Sequence, residues 1–159
     1  MGLYHTAQVC LNGHIITDSA DKHHELLKPY CPRCGSPTIT NCPSCSAPIH
    51  GDYDCGVVVI GDEPTADAYC YNCGKPYPWT ESAIQNAREL IMEEDSLTDS
   101  VKNAMVESLP DIISETPKTN LATVRLKKGL SSAGKFTAEA IRQFVIDFGC
   151  ELSIKLMGL

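Results

Sequence analysis

Eight side chains in the first half of this 159-residue chain have the types and spacing of metal ligands. "CLNGH" offers Cys10 and His14, "CPRCG" offers Cys31 and Cys34, "CPSCS" offers Cys42 and Cys45, and "CYNCG" offers Cys70 and Cys73. A Cys-x-x-Cys pair in a tight turn presents two sulfurs along one edge of a tetrahedron, and a second turn supplies the other edge, the geometry that zinc accepts. Taken in chain order, Cys10, His14, Cys31 and Cys34 form one site and Cys42, Cys45, Cys70 and Cys73 a second, so two Zn²⁺ per chain are expected. Crossed pairing is the competing arrangement, and His23 or His24 stands in reserve should His14 not complete the first site. Iron competes for the all-cysteine site, but the histidine in the first site favours zinc.

Other cysteine chemistries fit less well. Nine cysteines are an odd number, and six of them sit in Cys-x-x-Cys pairs too closely spaced for ordinary structural disulfides, which points to a reducing, cytoplasmic setting. A thioredoxin-like redox pair needs a βαβ surrounding that is missing here. "HGDYDC", His50 to Cys55, contains a histidine, two acids and a thiol and so raises a Cys-His dyad. The segment reads as a hairpin turn, and the structural role is preferred. No Gly-rich phosphate loop and no paired carboxylates in a plausible cleft are evident, and four protein ligands per site leave no open coordination position, so no enzyme is expected. Cys150, among Ile146, Phe148 and Leu152, reads as a small buried hydrophobe.

The elements that must position these ligands divide near Trp79. Residues 1–79 hold all five histidines and eight of the ten prolines. They read as short strand-sized pieces at Val9, Ile15–Thr17, Pro37–Thr40, Ala47–His50 and Gly56–Ile60, too short to bury a core unaided. Gly35 and Gly74 follow the second cysteine of their knuckles, where the chain turns back with positive φ. Residues 80–159 carry helical periodicity, at Ala83, Ile84, Ala87, Leu90 and Ile91 and again at Leu97, Val101, Ala104, Met105 and Leu109. A third helix is predicted over 120–128. The last and longest runs from Ala138 to Leu156 on the stripe Ile141, Phe144, Val145, Phe148, Leu152 and Leu156. "WTESAI" and "FTAEAI" place Thr80 and Thr137 as N-caps, with Trp79–Ile84 and Phe136–Ile141 as hydrophobic staples. The predicted fold is a small α+β protein: two tandem zinc ribbons, 1–79, followed by a helical interaction module of about four helices, 80–159.

"CLNGH", "CPRCGSPTI", "CPSCSAPI" and "YCYNCGKPYPWT" together resemble an uncharacterised bacterial family of double zinc-ribbon proteins, a domain of unknown function. The resemblance covers the first 80 residues closely and the helical half more loosely. It implies a bacterial cytoplasmic protein and the same ligand set. It implies no activity.

Charge narrows the partners. The chain carries a formal −7, which seven zinc-bound thiolates would make more negative still. Residues 1–79 hold four basic and eight acidic side chains, so nucleic acid is not the expected partner of the ribbons. Residues 80–116 contain nine acids and two bases, whereas 117–159 contain seven bases and three acids. The basic 117–142 stretch, with "RLKKGLSSAGK", keeps nucleic-acid binding as the alternative reading. The longest aliphatic run is only Val57 to Ile60, so no membrane span is expected. The preferred reading is a non-enzymatic adaptor or scaffold that engages a protein partner, or a second copy of itself, through the apolar stripe of its C-terminal helix.

Overall fold

The computed structural model describes all residues except Met1, Val59 and Asp62. The chain divides into two compact units, Met1–Glu81 and Ser82–Leu159. It is a small α+β protein with short strands in the first unit and five α-helices among the described residues.

The strands of the first unit are β1 (Leu3–Thr6), β2 (Gln8–Cys10), β3 (Ile15–Thr17), β4 (Thr38–Ile39) and β5 (His50–Asp54). They form two antiparallel sheets, one of order β1-β5 and one of order β3-β2-β4. None exceeds five residues, so the apolar core they cover is correspondingly small. In that core Ala7, Val9, Ile49, Tyr77 and Trp79 pack around two of the cysteines, Cys42 and Cys70. The Tyr77 and Trp79 rings stack with centroids 4.6 Å apart, and the indole N–H donates to the Asp67 carbonyl at 2.9 Å.

Two local expectations are corrected here. The segment read as a hairpin turn is the strand β5, held by β1 in the register Leu3↔Asp54, Tyr4↔Tyr53 and Thr6↔His50. Its acids have low strand propensity, but pairing with a distant segment overrides propensity. Gly51 belongs there because a Cβ at that position would run into the Asp18 carbonyl. Conversely, the strand expected at Gly56–Ile60 is not found among its described residues: Val57 and Val58 lie in bend and irregular backbone. Val57, Val58 and Ile60 are 73%, 85% and 92% exposed, and Val59 lies outside the described residues. An apolar run becomes a strand only with a partner, and among the described residues no segment pairs with this one.

The helices are α1 (Pro78–Met92), α2 (Asp99–Ile113), α3 (Thr119–Ser132), α4 (Lys135–Phe148) and α5 (Glu151–Met157). No helix among the described residues is long and apolar enough to cross a membrane. α1 starts with Pro78, whose missing N–H costs nothing at a first helical position. Thr80 is therefore inside the helix and not its N-cap; its buried hydroxyl donates to the Ala68 carbonyl at 2.7 Å. α4 likewise starts two residues before Thr137, with Gly134 at the N-cap and Phe136 left 77% exposed. The capping acceptor comes from elsewhere in the chain. The Glu94 carboxylate accepts from the Gly134 N–H at 3.1 Å, placing a negative charge at the positive end of α4.

That carboxyl is held down at about 2, first by the Ser96 hydroxyl, then by Thr137 and by backbone N–H groups including that of Gly134. A carboxyl depressed in the folded state adds stability above its unfolded value near 4.5, and that stability is lost as pH falls towards 2. Glu94→Gln removes the charge and keeps the shape. Thermal melts of the helical signal are expected to show the variant less stable than the parent at neutral pH, the gap closing steadily below about pH 4.5.

The helix expected from Ala138 to Leu156 is two helices, which is why five are found where about four were predicted. Gly149 and Cys150 take extended conformations with ψ of 148° and 159°. Ile112, near the end of α2, has a carbonyl without an intrahelical partner, as the last turn of a helix must. The break lets that oxygen accept from the Cys150 N–H at 2.9 Å and from the Ser153 hydroxyl at 2.8 Å. Cys150 is thereby the half-buried N-cap of α5 and not a fully buried hydrophobe. From the anticipated stripe, Ile141, Phe144 and Val145 are buried in the helical unit itself, while Leu156 is 36% exposed.

Candidate metal centres

Three of the four knuckles are built alike. In each, the N–H of the first cysteine donates to a carbonyl five residues on: Cys31 to Ser36, Cys42 to Ala47 and Cys70 to Lys75. The residue after the second cysteine donates back to the carbonyl of the first, from Gly35, Ser46 and Gly74 at 2.8 Å each. Isolated β-bridges Tyr30↔Pro37, Asn41↔Pro48 and Tyr69↔Pro76 close each loop at the same spacing. The returning residue sits at positive φ, 73° at Gly35, 72° at Gly74 and 64° at Ser46, so the third knuckle holds a side chain where the left-handed region favours glycine. The fourth knuckle spans Cys10 to His14, from the end of β2 to the start of β3, with the Cys10 N–H donating to the His14 carbonyl at 2.9 Å.

Folding brings these turns together in chain order. The ligand atoms of Cys10, His14, Cys31 and Cys34 lie within 4.8 Å of one another, and so do those of Cys42, Cys45, Cys70 and Cys73. Sulfurs bound about 2.3 Å from one ion stand about 3.8 Å apart along a tetrahedral edge, and a sulfur and an imidazole nitrogen about 3.5 Å apart. The separations match. Cys10 Sγ is 3.7 Å from Cys34 Sγ, and His14 Nδ1 is 3.5 Å from Cys10 Sγ and 3.6 Å from Cys31 Sγ. In the second cluster Cys42–Cys73 and Cys45–Cys70 are 3.8 and 3.7 Å. All eight sulfurs and nitrogens belong to separate side chains, with every cysteine a free thiol, so each cluster can hold one metal ion in a closed, four-ligand cage.

Two residues of these sites escaped the sequence reading. The Asn12 amide donates to Cys34 Sγ at 3.4 Å and to the Ser36 hydroxyl at 2.8 Å. The Asn72 amide donates to Cys45 Sγ at 3.5 Å. Each asparagine lies two positions after the first ligand of its own knuckle and reaches a ligand of the opposing knuckle, so each ties the two halves of a site together. The repeated Cys-x-Asn of "CLNGH" and "CYNCG" was the available signal. These donors favour thiolate. Cys34 is held down at about 5, first by the Ser36 N–H and then by the Asn12 amide. Cys45 is lowered first by Asn72 and then by the Ala47 N–H. Groups that orient and stabilise a ligand sulfur contribute about 10–100-fold to metal affinity. Asn72→Leu is expected to weaken metal retention by the second site about tenfold in a competition with a chelator, leaving the first site unchanged.

The remaining polar candidates stand apart. His23 pairs with Glu25 at 3.0 Å on the surface, and among the described residues neither it nor His24 joins a cluster. His5 is buried, its Nδ1 2.8 Å from Asp21 Oδ2. His50 is sandwiched between the rings of Tyr4 and Tyr71, at centroid distances of 3.9 and 3.8 Å, with Nδ1 3.8 Å from Asp67 Oδ2. Cys55 points its thiol at the Val57 carbonyl, at 3.8 Å, so the imidazole and the thiol are each turned to other partners.

Among known proteins, a family model described as an uncharacterized protein conserved in bacteria (DUF2321) matches residues 3–157. No curated protein and no solved structure matches the chain.

Proposed function

This chain belongs to that family of uncharacterised proteins conserved in bacteria, and from that premise we propose that it is a zinc-stapled, non-enzymatic adaptor of the reducing cytoplasm. The observation that carries the reading is the closure of both metal cages: four protein ligands around each centre leave no position for a substrate or an activated water. Metal in such a cage organises surface. We take the metal as zinc: the histidine of the first cage favours zinc over iron, and the sulfur–sulfur separations are compatible with zinc's bond length. The partner is a protein or a second copy of the chain, held by the helical unit. With Ile141 and Val145 committed to its own core, α4 offers Phe136 and Ile146, 77% and 47% exposed, and α3 offers Leu121 and Val124, 50% and 48% exposed.

The test is affinity purification of the tagged chain from its native cell, followed by light scattering of the purified protein. A stoichiometric protein partner or a dimer, lost in Ile146→Asp, is expected. A zinc-loaded monomer that recovers no specific protein would defeat the reading. Nucleic-acid binding is the second reading, favoured by Arg125, Lys128 and Arg142, which have no acidic partner within ion-pair distance among the described residues. It requires an affinity that falls steeply as salt rises.

A further inference from the structure

Two adjoining cavities flank β5. One, of about 420 Å³, is lined by Asp52, Tyr53, Asp54, Gly56, Val57 and Val58. The other, of about 390 Å³, shares Asp52 and Tyr53 and adds Ile15, Asp18, Glu63 and Pro64 among its walls. Together they make a trough along a five-residue strand. Its apolar parts are open to solvent, with Tyr53 48%, Val57 73% and Val58 85% exposed, an arrangement that marks interaction surfaces.

Apart from His50, whose Nδ1 lies 3.8 Å from Asp67 Oδ2, its charged side chains are carboxylates. No Lys or Arg lines either cavity. Asp54 is answered by Lys22 Nζ at 3.3 Å and faces His5 Nε2 at 3.7 Å, but Asp18, Asp52 and Glu63 have no cationic partner among the described residues. A single divalent ion does not answer these carboxylates, because among the described residues only the two cysteine clusters bring three or more ligand atoms within 4.8 Å. Asp18, Asp52 and Glu63 come from three separate segments that line the second cavity, and carboxylates that do not converge on one point match cations carried on separate side chains of an extended chain.

We propose that this trough is a docking groove for an extended segment of a partner protein in which Lys or Arg alternates with aliphatic residues. The proposal rests on the adaptor reading and assigns the ribbon unit a peptide-binding site of its own. Aliphatic side chains of the segment cover Val57, Val58 and Tyr53; its cations meet Asp18, Asp52 and Glu63, whose desolvation they offset.

The probe is fluorescein-labelled acetyl-Lys-Val-Lys-Val-Lys-Val amide, titrated by anisotropy with the zinc-loaded full chain. Saturable binding is expected, weakened about tenfold by Asp52→Asn with Glu63→Gln, and similarly by Val57→Ser with Val58→Ser. All four positions are exposed, so the variants keep their fold, checked by unchanged zinc content. Absence of saturable binding, equal binding of a Lys-Gly repeat or of spermine, or unchanged affinity in both variants would overturn the groove. Purification of the partner with the unmodified chain separates this from the parent reading. If that chain recovers a partner but does not bind the probe, the groove falls and the adaptor stands. If it binds the probe as described and recovers no partner, the adaptor falls, and with it the partner assigned to the groove, while the peptide-binding site stands.

Discussion

Stripping the metal from the purified chain is expected to unfold the first unit while the helical signal persists. The strands there are two to five residues long, and two prospective ligands, Cys42 and Cys70, are themselves part of the apolar core. Without an ion, four thiol-bearing turns are left to hold themselves together by a few backbone hydrogen bonds each. Binding of a structural zinc is worth about 10–16 kcal/mol in small zinc folds, far more than a core of this size supplies, so metal binding and folding are one event. Trp79 reports on it directly. It is the single tryptophan of the chain, is 3% exposed and is stacked on Tyr77, so chelation should shift its emission to the red. Far-ultraviolet dichroism should keep most of its helical amplitude. Metal analysis should return two zinc ions per chain. Cys70→Ser should perturb Trp79 more than Cys31→Ser, because only Cys70 shares its core. One ion per chain, iron in place of zinc, or an unmoved Trp79 emission after chelation would each contradict this account.

The second large effect separates the two sides of α4. Ile141 is fully buried, whereas Ile146, five residues on, is 47% exposed. Ile141→Asp places a carboxylate in the core of the helical unit with nothing to pair it, a change of the class that costs more than about 4 kcal/mol. It is expected to abolish cooperative unfolding of the helices. Ile146→Asp changes solvent-facing surface, which shifts stability by about 0.5 kcal/mol or less. It should leave the fold and zinc content intact and remove only the partner. A folded, cooperative Ile141→Asp protein would show that the stripe is not core, and an unfolded Ile146→Asp protein would show that the outer face is.

The ligands were legible because a zinc knuckle is local. Its turn is closed by hydrogen bonds between residues four and five apart, so Cys31–Cys34, Cys42–Cys45 and Cys70–Cys73 announce themselves by spacing alone. The helices were legible for a similar reason, since periodicity records which face is buried. Asn12 and Asn72 were overlooked although their spacing repeats, because an amide's target sulfur lies on another knuckle, 22 and 27 residues away.

What the amino-acid order determined by itself is therefore the set of side chains able to surround two ions and the positions of helical faces. The tertiary structure alone decided where elements begin, end and pair. β5 is a strand because β1, some fifty residues earlier, lies beside it. α4 is capped by Glu94, forty residues away. The last helix breaks at Gly149 because the Ile112 carbonyl, across the unit, takes the Ser153 hydroxyl from a separation of 41 residues. In each case the local pattern left the outcome open, and a hydrogen bond from a distant segment accompanies the one observed.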